Sequence, residues 1–304
     1  MKGNKMDKLL SVCMATYDDY DGVYFTTQAL RMYHKVCNTD AVEFVLLDSN
    51  PSSSHGKECK KLFSGALRGR GKYISKTQGS ISSFNKYETV KYASGKYILI
   101  IDCHVLLKAN AIDLLLKYYQ DHPNCKDLIQ GPLLYDDLQN ISTHFKPGWS
   151  GDMYGTWSTD KERYLAGKPF EIQMNGMGLC SFEKSNWPEI LPFFKGFGAE
   201  EGYIAEKFRA NGGKNMCLPF LEWNHRFGRP NGVKYPLNIE DRIWNYFIGW
   251  LEIKQDPEDE MIKSIFDYFK TRIPEQRVKI ILKKAVSTLE AYKQQQRSNN
   301  ANTK

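Results

Sequence analysis

The chain has 304 residues, 41% of them hydrophobic and 25% charged, with a formal net charge of +7. That composition fits a folded globular protein of one large domain or two modest ones and excludes a fibrous or disordered chain. No apolar run reaches the roughly 18 to 20 residues a membrane span needs, and residues 1–8 are too polar for a secretory signal. The expectation is a protein kept in the cytoplasm, with no membrane span.

Residues 9–14 form a short apolar run followed by polar Thr16, Tyr17, Asp18 and Asp19. Thr26, Ala29, Leu30 and Tyr33 then recur at helical spacing, with Asp21 near the start, which predicts strand, loop, helix. Residues 42–47 make a second strand that ends at Asp48 in a Ser-, Asn- and Pro-rich turn. Lys57, Lys60, Lys61, Arg68, Arg70, Lys72 and Lys76 face a single acid, Glu58, and read either as a solvated face or as a track for a polyanion. A third strand is predicted at 73–75 and a helix over 82–93, closed by Gly95.

Residues 97–101 (YILII) are continuously apolar, as in a parallel strand covered on both faces, and they end in Asp102-Cys103-His104. An amphipathic helix follows over 109–120. Residues 136–169 read as a long irregular segment rich in Gly, Trp and Thr, of the kind that is usually functional or mobile. A strand is expected in Asn175-Gly176-Met177-Gly178 and the residues just after it, then a Gly-rich turn at 196–201 and a helix over 202–210. From about Arg242 the chain is helical and amphipathic, with a polar end from Gln294 that predicts disorder. Seven cysteines without a CxxC pair predict reduced, buried thiols.

Strands alternating with helices imply a twisted, mostly parallel α/β sheet whose ligands sit beyond the carboxyl ends of the strands. That rule brings Thr16, Asp48, Asp102 and His104 to one edge. Asp102 and His104, one residue apart at a strand end, can reach one divalent ion while Cys103 turns into the core. His225 is the best remaining histidine for a third ligand, because Arg226 and Arg229 beside it suit phosphate oxygens; the alternative is a hydrogen-bonded His among structural arginines. Glu200 and Glu201 follow two glycines at a helix start. They are either stabilised there by the helix dipole alone or placed to take a proton from an attacking hydroxyl.

Together these segments resemble the family-two glycosyltransferases, which have the Rossmann-like GT-A fold. Residues 11–17 resemble the family's opening strand, 44–48 its second strand with a terminal acid, and 79–85, 93–98 and 102–104 the approach to its metal-binding Asp-x-Asp. Phe84 stands where the family usually has Arg before the Asn. His104 in place of the last acid makes the chain more similar to the polypeptide N-acetylgalactosaminyltransferases and chondroitin polymerases, in which an Asp-x-His pair and a downstream His hold manganese. Phe197-Gly198-Ala199-Glu200 resembles their Trp-Gly-x-Glu segment.

The resemblance implies a metal-dependent glycosyltransferase using a nucleotide-sugar, most simply a UDP-sugar, with Mn²⁺ or Mg²⁺ held by Asp102, His104 and His225. Thr16 and Tyr17 would frame the base, Asp48 would bond the uracil or ribose, and Asn85, Arg226 and Arg229 would serve the nucleotide and its pyrophosphate. Trp149, Trp157, Asn175, Gly176 and Met177 would form the sugar and acceptor pocket, and Glu200 and Glu201 would act on the reacting groups. The implied organisation is a GT-A domain over 1–240, with a nucleotide half (1–107) and an acceptor half (108–240), and a helical extension over 241–304. The acceptor stays open and includes DNA: the basic stretch and Arg277, Lys279, Lys283 and Lys284 could track a phosphate backbone while a hydroxymethylated pyrimidine flips into the pocket. An inactive nucleotide-sugar-binding module is the alternative from another class. A dinucleotide oxidoreductase is disfavoured because no GxGxxG follows the first strand.

Overall fold

The computed structural model describes residues 8–76, 83–228, 232–235 and 237–301. The first half alternates as expected: β1 (Leu10–Thr16), α1 (Tyr20–Tyr33), β2 (Val42–Asp48), α2 (Ser54–Ser64), β3 (Gly71–Ser75), α3 (Asn85–Glu88) and β4 (Tyr97–Ile101). Side-chain caps start both long helices: Asp19 accepts from the Gly22 amide and Ser53 from the Gly56 amide.

Next come β5 (Val105–Leu107), α4 (Ala111–Asp121), β6 (Leu128–Gln130), β7 (Leu133–Leu134), β8 (Ile141–Ser142), β9 (His144–Ser150), β10 (Met153–Ser158) and α5 (Lys161–Leu165). The remaining elements are β11 (Phe170–Glu171), β12 (Leu179–Glu183), α6 (Glu200–Ala210), β13 (Asn215–Cys217), β14 (Trp223–His225), α7 (Ile239–Lys254), α8 (Glu260–Phe269) and α9 (Glu275–Ala301).

The main sheet has the order β11-β13-β6-β12-β4-β1-β2-β3. It is parallel across β4, β1, β2 and β3, and β12 runs antiparallel between β4 and β6. Every residue of β2 and β4 is buried, as a strand covered on both faces requires. One face packs Val12, Phe44 and Leu99 against Val23, Leu30, Ile112 and Leu115 of α1 and α4. On the other, Val45, Ile98 and Ile100 join a core with Tyr203, Phe247, Ile265 and Val278, so the C-terminal helices complete that layer. A smaller sheet, β5-β14-β7-β8, lies beyond the end of β4.

Three expectations need correction. The helix predicted over 82–93 is only α3 followed by a 3₁₀ turn (Thr89–Lys91), where the Thr89 hydroxyl donates back to the Lys86 carbonyl and competes with the helical ladder. The segment read as irregular over 136–169 contains the β9–β10 hairpin. Gly151 (φ 55°) and Asp152 (φ 62°) close it with the two left-handed residues that a type I′ turn demands. Finally, the polar end from Gln294 is helical to Ala301, continuing α9 through Gln294, Gln295, Gln296 and Arg297, which are good helix formers even when exposed.

Candidate metal and nucleotide-sugar site

The apolar run of β4 stops at Asp102, whose amide donates to the Gly178 carbonyl at 2.9 Å. The chain turns through Cys103, which is buried, and His104 into β5. Antiparallel pairing of β5 with β14 sets His225 opposite Val105, and that register brings His225 beside His104 although 121 residues separate them. The Nε2 atoms of the two imidazoles lie 3.1 Å apart, and His225 Nε2 is 3.4 Å from Asp102 Oδ2. One ligand atom from each of Asp102, His104 and His225 lies within 4.8 Å of the others.

The first turns of α1 hold this corner from behind. Asp19 Oδ2 meets His104 Nδ1 at 2.8 Å. Gly22 packs on the Cys103 carbonyl so closely that a Cβ would sit 2.7 Å from its oxygen. Thr26 Oγ1 accepts from the Val105 amide at 3.0 Å and lies within donating distance of the Val105 and Cys103 carbonyls, at 2.9 and 3.2 Å. Spaced i, i+3 and i+7, the three share one helix face.

Burial alone would push the Asp102 carboxyl up. Lys86, with Nζ 3.3 Å from Oδ1, and the two imidazoles instead hold it far below the usual carboxylate range. Asp19 behaves alike: burial opposes ionisation, and the His104 and Arg226 contacts overcome it. Glu200 and Glu201, at the start of α6, go the other way. Burial and the neighbouring Glu200 charge push Glu201 up to about 8, and burial also raises Glu200, whose Oε2 accepts from the Ser83 hydroxyl at 3.0 Å. Oε2 of Glu201 is buried without a hydrogen-bond partner.

These groups line one cavity of about 380 Å³. Of the residues singled out by sequence, Thr16, Tyr17, Asn85, Asp102, His104, Trp157, Met177, Glu200, Glu201 and His225 are on its wall. Others are not. Asp48 is tied back to the Tyr73 hydroxyl (2.6 Å) and the Asn50 amide (2.8 Å), leaving Ser49 at the wall. Arg226 turns to Asp19 at 2.8 Å. Trp149 stacks on Tyr268 at 4.6 Å and donates to Ser264 on α8, away from the cavity. Asn175 and Gly176 lie just behind Met177, with the Gly176 amide donating to buried Gln130 at 2.6 Å. Arg229 lies outside the described residues. Phe84, in the position of the expected Arg, stacks on Phe194 at 3.8 Å.

Sequence reading missed Asp19, which its position disguises as a helix cap, and Lys86, a single cation on a short polar helix. It also missed the aromatic wall of Phe145, Trp223 and Phe227. A nitrogen–nitrogen–oxygen donor set suits a borderline divalent cation such as Mn²⁺, and a carboxylate behind one imidazole is the usual companion of a metal-bound histidine. The residues therefore fit the ion.

A sheet of this order, with its functional groups gathered beyond β4 and β1, defines the GT-A class of glycosyltransferase folds. The pattern of glycosyl transferase family 2 matches residues 11–165, and the chain belongs to that family. Among solved structures, it is similar to GalNAc-T7 with UDP, GalNAc and Mn²⁺ (TM-score 0.68, 14% identity, covering 93% of this chain and 55% of that one). It is also similar to the mannosyltransferase PcManGT from Pyrobaculum calidifontis in complex with GDP-Man and Mn²⁺ (0.55, 11%, 95% and 78%). A third likeness is to S. aureus TarS (0.53, 12%, 86% and 43%). The chain thus spans about half the length of GalNAc-T7 and less of TarS. No curated protein sequence matches it.

Proposed function

We propose that the chain is a metal-dependent glycosyltransferase that moves a sugar from a nucleotide-sugar, with a UDP-sugar the leading donor, to a hydroxyl acceptor. The observation that carries the reading is the meeting of Asp102, His104 and His225 within 4.8 Å, with Asp19 behind His104. These three would hold Mn²⁺ or Mg²⁺, which when bound offsets the charge of the departing diphosphate. Thr16, whose hydroxyl oxygen is buried without a partner, and Tyr17 are placed to meet the nucleoside, with Ser49 and Asn85 beside them on the wall.

Glu201 is the candidate base. Its raised affinity for a proton makes the ionised carboxylate a strong base, and because that form gains population only as pH approaches 8, turnover should climb with pH toward that value. As the acceptor oxygen bonds to the anomeric carbon and the carbon–oxygen bond to the diphosphate breaks, the hydroxyl proton passes to Glu201 Oε2. Trp157 and Phe145 present aromatic surface to the sugar or acceptor. In this reading residues 1–107 supply the nucleotide side, 108–240 the acceptor side and 241–304 a helical extension.

A hydroxymethylated pyrimidine in DNA draws support from Lys57, Lys60, Arg68, Lys283 and Lys284, which are exposed. Lys61, Lys72 and Lys76 are paired with Glu58, Glu43 and Glu88, and Arg277 and Lys279 with Glu240 and Glu275. Among the described residues no helix is long and apolar enough to cross a membrane. All seven cysteines are buried.

The test is release of nucleoside diphosphate from a panel of UDP- and GDP-sugars, with and without Mn²⁺, alone and with glycan, peptide or hydroxymethylated DNA acceptors. Metal-dependent turnover that disappears in Asp102→Ala is expected. Donor binding without release under any condition would refute the reading and leave a binding module.

A further inference from the structure

We infer that Asp19 is a positioning residue for the metal site, fixing which nitrogen of His104 faces the cation and coupling that choice to the segment that carries His225. The inference rests on the metal reading above.

Contacts from four residues meet on one carboxylate, the Cys103 thiol among them at 3.8 Å from Oδ2. Oδ2 lies 2.8 Å from His104 Nδ1, and Arg226 Nη2 approaches Oδ1 and Oδ2 at 2.8 and 3.0 Å. Oδ1 also accepts from the Gly22 amide at 3.2 Å, which fastens the carboxylate to the first turn of α1. An ionised carboxylate only accepts hydrogen bonds, so Nδ1 of His104 carries the proton and Nε2 presents its lone pair. That lone pair points toward His225 Nε2, 3.1 Å away, the side on which Asp102 also lies. Arg226 follows His225 directly in the chain, so the same carboxylate that orients one imidazole also anchors the strand end bearing the other. Gly22 and Thr26, on the same helix face, fix the backbone of the turn. The first helix thus presents a prearranged backing to a site whose ligands come from the turn between β4 and β5 and from β14.

Outer carboxylates of this kind typically contribute 10- to 100-fold in metal affinity. The experiment is a Mn²⁺ titration of the full chain, followed by the paramagnetic resonance of the free ion, on wild type, Asp19→Asn, Asp19→Ser and Asp102→Ala. Asn and Ser both cap a helix as well as Asp does, so the start of α1 survives, and neither restores the charge. Affinity should fall tenfold or more in both, while circular dichroism of the metal-free variants shows the fold retained and only a modest drop in melting temperature from the lost Arg226 contact. In the metal-free wild type, nitrogen NMR should show His104 protonated at Nδ1, and Asp19→Ser should move the proton toward Nε2. If both variants bind Mn²⁺ within twofold of wild type while Asp102→Ala does not bind, the inference is overturned. If Asp102→Ala binds as wild type does, the metal reading itself is wrong, and this inference goes with it.

Discussion

Replacing Glu201 with Gln should stabilise the protein at alkaline pH while removing its activity. In the fold this carboxyl keeps its proton up to about 8, against an ordinary value of 4.5, because it is buried beside Glu200. A raised carboxyl favours the folded state fully below 4.5, and that contribution is lost as pH climbs through 8. At pH 8.5 the ionised group costs the fold at most about 4 to 5 kcal/mol. Glu200 beside it carries part of the same repulsion, so Gln recovers about 2 kcal/mol of this. At about 2 °C per kcal/mol for a chain of this size, the variant should melt about 4 °C above wild type at pH 8.5 and level with it at pH 5. Paired thermal scans of the metal-free proteins measure the difference, and turnover should fall about 100-fold or more with the base gone. A melting difference that stays the same at both pH values would refute the argument that burial and Glu200 hold this proton.

Other substitutions test neighbouring contacts. Gly22→Ala would place a Cβ 2.7 Å from the Cys103 carbonyl oxygen; the turn must shift, costing about 1 to 3 kcal/mol in urea unfolding and weakening cation binding. Lys86→Met leaves Asp102 and the Met177 carbonyl without their ammonium partner, a loss of about 3 kcal/mol that denaturant titration would register. Gly176→Ala would bring a Cβ to 2.2 Å from the Trp157 ring, so the indole must move at the cavity wall. Its KM should rise several-fold while Mn²⁺ affinity holds, and unchanged kinetics would show that Trp157 does not meet substrate.

The sheet was legible because β1, β2 and β4 are mostly apolar runs ended by a polar turn, and strand-end placement gathered Thr16, Asp102 and His104, which line one cavity wall. His225 was found through its neighbours, yet what joins it to His104 is the pairing of β5 with β14, a register that local spacing does not reveal. Asp19 escaped because a helix cap and a backing carboxylate look the same in one dimension. The two tryptophans of the hairpin looked equivalent but are not. Trp157 sits at its base, facing the cavity, and Trp149 near its turn, against α8, with a register shift between Tyr154 and Thr156 separating them. Asp48 stood at the right strand end, but the Tyr73 hydroxyl on β3 claims it.

The contact between Asp19 and Arg226 spans 207 positions of the chain. Closing so wide a loop is entropically costly and comes late in folding. A nascent polypeptide emerging from the ribosome therefore lacks the full cluster of Asp19, Asp102, His104 and His225 until β14 has been made and docked. Tight retention of a divalent ion would consequently serve as a gauge of finished assembly, separating native molecules from collapsed ones that have already built β1 to β4.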